Sequence, residues 1–257
     1  MLLAIPLGLV IGLVVGTVGG GGAILALPVL VYALGEPVGP ASTASLIVVA
    51  LAAAVGGGSL ARGGHVCWKV AVTFSVPAAL GSVAGTLANT LVSGPVLLLA
   101  FVPVMLLAAG ATWHKADEGE ERSENDCPEV DRRQVLIAGL VVGTLTGFFG
   151  VGGGFLIVPV LTLALGFGLR RATATSLVVI FLTGLAALAS HLATGAAPPF
   201  GLTALLAGAT AAGALFGSLI AERLPQRALG RAFAIVVTLV ALFLAVDTLV
   251  LGGPPGS

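Results

Sequence analysis

Apolar residues in this chain come in long blocks separated by short polar breaks, with no strict alternation. By length the blocks are approximately 2–34, 41–60, 69–91 and 95–113, then 134–166, 171–194, 199–221 and 228–250. Most are as long as a helix needs to cross a ~30 Å hydrocarbon layer once. The first block of each set is not. A continuous helix from Leu3 to Leu34 would be about 48 Å long at ~1.5 Å per residue, too long for one crossing, while two full crossings need ~40 residues. The pattern predicts helices throughout, with one anomalous block opening each half.

Those two blocks share a glycine-rich stretch. The first copy carries Gly12, Gly16, Gly19, Gly20, Gly21 and Gly22 and ends Pro28-Val29-Leu30. The second carries Gly143, Gly147, Gly150, Gly152, Gly153 and Gly154 and ends Pro159-Val160-Leu161. Both proline endings and leading glycines coincide at one offset of 131 residues (159 − 28 and 143 − 12). Each glycine costs a helix roughly 1 kcal/mol relative to alanine, so the cluster predicts a helix that stops and a second, short helix that starts after it. The repeat continues downstream. Ala41-Ser42-Thr43-Ala44-Ser45-Leu46 matches Ala172-Thr173-Ala174-Thr175-Ser176-Leu177, while Gly81, Gly85 and Phe101 match Gly213, Gly217 and Phe233. Internal duplication in an apolar chain is a sequence signature of secondary transporters.

Charge decides how the blocks cross. The cations are Arg62, Lys69, Lys115, Arg122, Arg132, Arg133, Arg170, Arg171, Arg223, Arg227 and Arg231. If every block crossed once, they would divide between the two sides. If each glycine-rich block dips in and returns, all fall on one side, and the positive-inside rule selects this arrangement. That side is then the cytoplasm and both termini lie outside. Two short but complete crossings per glycine block would give the same parity, so charge alone leaves that version open. The expected fold is an all-α polytopic membrane protein of two inverted-topology repeats. Each repeat is a glycine-broken re-entrant hairpin plus three transmembrane helices. The first repeat covers 1–113, a polar cytoplasmic linker 114–133, and the second repeat 134–251.

Composition agrees: 58% of residues are hydrophobic, 9% are charged and the net charge is zero, which gives no footprint for nucleic acid. Residues 1–16 lack a basic leader segment and recur after residue 133, so they read as structure, not a signal peptide. Cys67 and Cys127 lie far apart and read as two unpaired thiols, with no disulfide framework or metal site. The linker, with Asp117, Glu118, Glu120, Glu121, Glu124, Asp126, Glu129 and Asp131, reads as a solvated connector. No nucleophile–base pair is visible, and the glycine clusters lack the Lys-Ser/Thr of a phosphate loop, so no enzyme, cofactor or metal is expected. Glu36 and Glu222 stand at loop edges. Asp247, near the end of the last block, reads as interfacial.

The glycine clusters offer backbone. A helix starting near Gly22 or Gly153 leaves its first N–H groups unpaired and partly positive, and at membrane depth a small anion is a suitable partner. In the inverted arrangement these half-helix ends converge near the midplane. The competing reading, close helix packing by small residues, suits Gly12/Gly16, Gly81/Gly85 and Gly213/Gly217 better. The candidate substrate-binding set is therefore Gly19, Gly20, Gly21, Gly22, Gly150, Gly152, Gly153 and Gly154, with the hydroxyls of Ser45 and Ser176. Ser42 and Thr173 are read as helix caps. Asn89 and His191 are lone polar groups in apolar blocks, and His191 reads equally as interfacial or proton-handling.

The doubled glycine-rich stretch, each copy ending Pro-Val-Leu and followed by Ala-(Ser/Thr)-x-x-Ser-Leu, resembles the sulfite exporter TauE/SafE family of membrane transporters. The resemblance covers both halves apart from the linker. It implies secondary transport of small sulfur-containing anions such as sulfite, thiosulfate, sulfoacetate or other organosulfonates by alternating access, with glycine turns and adjoining hydroxyls around the substrate. Gly20 and Ala23 stand against Val151 and Gly154, so the two sides of such a site differ. An anion channel using the same site, or less readily an intramembrane enzyme or assembly factor, remains as an alternative. Any coupling ion, H+ or Na+, is left open.

Overall fold

In a computed structural model, residues 3–89, 94–117, 127–149, 154–193 and 200–247 are described, and all regular structure among them is helical. Helix α1 spans Ala4–Val18 and stops at Gly19, whose φ of 76° is a left-handed conformation that only glycine adopts cheaply. A tight turn over Gly19–Gly22 leads into α2, Ala23–Pro28, and a wider π turn over Val29–Ala33. Then follow α3 (Val38–Arg62), α4 (Trp68–Asn89), α5 (Gly94–Asp117) and α6 (Arg132–Phe149). The second half continues with α7 (Gly154–Leu163), α8 (Leu169–Ala193), α9 (Phe200–Arg223) and α10 (Gln226–Val246).

Five helices, α3, α4, α8, α9 and α10, are long and apolar enough to cross a membrane, while Ala4–Val18, Ile24–Ala33 and Gly154–Leu163 are shorter apolar helices. Outward-facing side chains such as Leu80, Leu87, Leu107 and Leu239 are mostly exposed. In water this would be a liability; in lipid it costs nothing. The protein is a multi-pass membrane protein.

Helix packing exchanges partners between the halves. Along α1, Gly8 meets Leu206 and Ala209, Gly12 meets Thr210 and Ala214, and Gly16 meets Ala214 and Ser218. Contacts rise together in both sequences, so α1 and α9 run parallel. The counterpart pair does the same: Gly139 meets Phe74, Gly143 meets Ala78 and Gly147 meets Ser82, making α6 parallel to α4. At Gly12, Gly16, Gly143 and Gly147 an added Cβ would overlap backbone of the partner helix. These glycines let two backbones touch, which is the small-residue packing expected where lipid supplies no hydrophobic drive. Between the halves, α3 and α8 run antiparallel, with Gly57 at Leu177 and Gly184 at Ala50, and so do α5 and α10, with Gly230 at Ala116 and Thr112 and, further along, Ala234 and Leu239 beside Ala109 and Gly110. Arg231 stacks over the Trp113 ring at 5.5 Å in the same pair. Helix α3 is parallel to α9, with Gly56 at Ala214 and Gly63 at Glu222.

Two buried groupings mark the ends of the molecule. Ala4 at the start of α1, Leu30 and Val31 after the first break, Ala41 near the start of α3 and Leu206 of α9 share one cluster. At the opposite end, Arg170 Nη2 donates to the Leu224 carbonyl at 2.9 Å, and the Leu169 N–H donates to Gln226 Oε1 at 3.0 Å.

Several expectations need correction. Cys67 and Cys127 are joined as a disulfide, with Cα atoms 5.8 Å apart across 60 residues of sequence, and are not two unpaired thiols. The fold folds the far end of the linker back over the start of α4, a proximity that spacing cannot reveal. Asp247 is buried, 4% exposed, and accepts a 2.7 Å hydrogen bond from the Tyr32 hydroxyl, so it is not a free interfacial carboxylate. Ser42 and Thr173 do not cap: α3 starts at Val38 behind Pro37 and α8 at Leu169, which places both residues inside the helix. Helix α5 also runs on to Asp117, so His114 and Lys115 lie in its last turn and not in a loop.

Candidate functional site

The first glycine break lies against the second half. Gly20 touches Gly154 backbone to backbone: an added Cβ on Gly20 would overlap the Gly154 carbonyl, and one on Gly154 would stand 3.0 Å from the Gly20 carbonyl oxygen. Gly19 faces α8, where a Cβ would be 2.9 Å from Ser176 Oγ and 3.1 Å from Thr173 Cγ2. Among the sequence-chosen residues, Gly19, Gly20, Gly154 and Ser176 therefore meet at one place, with Gly21 and Gly22 completing the same turn. Gly150, Gly152 and Gly153 lie outside the described residues, as do the side chains of Asn89 and His191. Ser45 is half-buried on α3 and donates to the Ser42 carbonyl at 2.8 Å. Ser176 makes the matching bond to the Thr173 carbonyl at 2.8 Å and is fully buried.

At this point the glycine turn of the first half and the start of α7 in the second are in direct contact. This follows from the glycines themselves: with no Cβ at Gly20 or Gly154, nothing holds the backbones apart.

Aromatic side chains support the second break on both flanks. Phe149 ends α6 and Phe155 opens α7, and Phe101 of α5 packs on both, with ring centroids 4.9 and 5.1 Å away. Phe101 and Phe155 are almost fully buried. Such ring pairs stabilise by about 0.5–1.5 kcal/mol each beyond their area. Phe101 thus ties the end of α6 to the start of α7.

Two features were missed in the sequence. Thr146, one turn before the second break, has a buried hydroxyl oxygen with no hydrogen-bond partner among the described residues. Buried hydroxyls usually find one, most simply the carbonyl four residues back, as Thr17, Thr112 and Thr210 do here. Only proximity to the glycines could have singled it out. The other is Tyr32, the one tyrosine of the chain, which pairs with Asp247 and stacks edge-on to Phe243 at 5.6 Å. This ties the end of the first broken segment to α10. A lone tyrosine and a lone carboxylate in apolar blocks were the available signal.

Around the breaks the arrangement offers polar backbone and hydroxyls held in an apolar shell. Among the described residues, no group of three or more His, Cys, Asp or Glu is placed to hold a metal. Cations collect at the linker end, where His65 is held below its ordinary pKa by burial first and by Arg170 and Arg171, with Glu222 opposing.

A membrane-embedded helical bundle, doubled in sequence and broken by glycines where its halves touch, defines a membrane transporter of the repeat-built kind. The chain belongs to the sulfite exporter TauE/SafE family, whose pattern it matches over residues 4–244. It is 30% identical over 254 residues to a probable membrane transporter protein of Xylella fastidiosa strain Temecula1, covering 95% of this chain and 94% of that one. A probable membrane transporter protein of Bacillus subtilis is 29% identical, with 90% and 93% covered. One from Methanocaldococcus jannaschii is 30% identical, with 74% and 73% covered. No solved structure matches the chain.

Proposed function

We propose that the protein is a secondary transporter that moves a small sulfur-containing anion across the cytoplasmic membrane by alternating access. Sulfite, thiosulfate, sulfoacetate and other organosulfonates are the candidate substrates. The observation that carries this reading is the meeting of the two glycine breaks, Gly20 against Gly154, each from a different half. Repeats of opposite orientation meeting at broken helices are a recurrent transporter design, with substrate at the breaks.

The helix directions support the inversion. Counterparts α3 and α8 are antiparallel, as are α5 and α10. Helix α1 is parallel to α9, and α9 to α3, so α1 and α3 point the same way and the chain between them must return. That supports a re-entrant hairpin. At ~1.5 Å per residue, the 15 residues of α1 reach about 22 Å, short of a ~30 Å crossing. The clustering of Arg62, Lys69, Arg132, Arg170, Arg223 and Arg227 at helix ends on the linker side supports a cytoplasmic linker with both termini outside.

In this reading the anion lies beside the closed contact, against the amides of Gly19, Gly20, Gly21, Gly22 and Gly154 and the Ser176 hydroxyl. By the repeat, Ser45, Gly150, Gly152 and Gly153 are assigned to the same site, and Thr146 adds a buried hydroxyl that has no partner among the described residues. A site of amides and hydroxyls holds a dianion without a buried cation. Parting of the Gly20–Gly154 contact opens the site to one face, and re-closure commits the substrate. Purified protein in liposomes tests this. Labelled sulfite or sulfoacetate should enter saturably and faster against unlabelled anion inside, and imposed H+ or Na+ gradients then identify the coupling ion. Flux in discrete current steps, or none for any sulfur anion, would overturn the carrier reading.

A further inference from the structure

The linker end of the molecule carries a second site. Cys127 is exposed while its partner Cys67 is only 2% exposed, so the disulfide joins a residue open to solvent to one packed in protein. A groove of about 740 Å³ runs over the bond, lined by Val66, Trp68, Lys69, Pro128 and Asp131 together with the two cysteines. From below, Arg171 of α8, itself 9% exposed, brings Nη1 to 3.5 Å from Cys127 Sγ and 3.8 Å from Cys67 Sγ. The same guanidinium nitrogen lies 3.5 Å from the Gly64 carbonyl. The backbone N–H of Cys67 donates to Thr175 Oγ1 at 3.2 Å. Arg171 and Thr175 flank Thr173 and precede Ser176, the residues against which Gly19 packs.

We propose that Cys67 and Cys127 form a reversible thiol-exchange switch, whose reaction partner is a cellular dithiol and whose output is the hold of the linker on α8. The switch rests on the orientation proposed above, which puts this face in the cytoplasm. There a disulfide is not a resting staple, and those that form are mostly transient and redox-sensing. Exchange proceeds from the exposed side. A thiolate of the dithiol attacks Cys127 Sγ, the Cys67–Cys127 bond breaks, and Cys67 departs as a thiolate beside the Arg171 guanidinium. The second thiolate of the dithiol then attacks its own sulfur in the mixed disulfide and releases the Cys127 thiolate. Two electrons pass to the protein and the dithiol becomes a disulfide, and the reverse sequence uses that disulfide as oxidant. A guanidinium at the leaving sulfur lowers its pKa and speeds departure. Once reduced, residues 127–131 are no longer tied to the turn between α3 and α4, and Arg171 loses its sulfur contacts.

The full-length protein in detergent, exposed to a thioredoxin-type dithiol, quenched in acid and tagged with maleimide, tests the switch without reference to transport. Both thiols should appear together and reversibly. Arg171→Gln should slow reduction about three- to tenfold, the effect of one to two pKa units on a leaving thiol, while Arg171→Lys restores most of the rate. Reduction should also speed protease cleavage within 114–131, and Cys127→Ser should be cleaved fast with or without dithiol. Equal rates for Arg171→Gln, Arg171→Lys and wild type, or cleavage indifferent to reduction, would overturn the proposal. So would labelling of Cys127 by an impermeant maleimide from outside intact cells after an impermeant phosphine has reduced the bond, which would place the pair beyond any cellular dithiol. A failed switch with intact sulfite flux leaves the transport reading standing, and the reverse result leaves the switch.

Discussion

Replacing Gly20 by alanine adds a single methyl group, and the structure says where it goes. It would overlap the Gly154 carbonyl oxygen and sit 3.0 Å from the Gly154 Cα. The φ of Gly20 is not among the left-handed ones, so alanine meets no backbone penalty there and sterics alone decide. Alanine should gain up to about 1 kcal/mol over glycine by propensity. Against that, the two breaks must separate by more than an ångström, and forcing an atom into a packed contact costs about 1–3 kcal/mol or more. The second effect wins. With a net cost of about 1–2 kcal/mol, at roughly 2–4 °C per kcal/mol for a chain of this size, the melting temperature in detergent should drop by about 2–8 °C, with uptake of the labelled anion lost. Gly58→Ala is the matched control: it lies inside α3 with nothing within 4 Å of the added carbon, and should leave uptake intact and stability equal or slightly higher. A Gly20→Ala protein that melts and transports like wild type would falsify the closed contact.

Other positions give sharper single readouts. Thr146→Val removes a buried hydroxyl that has no partner among the described residues, so stability should rise by about 1 kcal/mol, read as melting temperature; a fall would mean the hydroxyl is satisfied. Ser176→Ala removes only a local bond to Thr173 and should barely change stability, yet anion uptake should fall about tenfold if the hydroxyl is a ligand. Tyr32→Phe strands the Asp247 carboxylate and should destabilise by about 1–3 kcal/mol, with Asp247→Asn in the same chain recovering part; equal stability of the single variant would refute the pairing. His65, whose pKa is lowered, is neutral when folded and takes up a proton more readily when unfolded. Its contribution is therefore complete above pH ~6.5 and is lost as pH falls toward the lowered folded value, so His65→Gln should flatten the stability–pH curve on the acid side of about pH 6.5, and an unchanged slope would count against it.

What could be read from the sequence was what repeats or has a period. Gly12/Gly16 and Gly213/Gly217 show as packing stripes because their spacing marks one helix face, and they do pack, on one another's helices. That α1 would choose α9 over its own half could not be read, since spacing describes a face and not its partner. The breaks at Gly19–Gly22 and before Gly154 were visible because glycine is costly in a helix, and Ser176, singled out by its place in the repeat, faces Gly19. The Cys67–Cys127 bond and the Tyr32–Asp247 pair were invisible for a common reason. Each joins residues whose proximity depends on the path of the whole chain, and neither partner has a local motif. Ser42 and Thr173 misled because the helices begin earlier, at Val38 and Leu169, where the sequence offers no capping side chain.

The exchanged helix pairs carry a consequence for how the molecule is made. Since α1 rests on α9 and α4 on α6, the first half leaves the ribosome with its glycine-lined faces uncovered and waits for the second to be synthesised. On this packing neither half should fold by itself. Severed at the linker and produced separately, each should be degraded by membrane quality control, and produced together the two fragments should rescue one another.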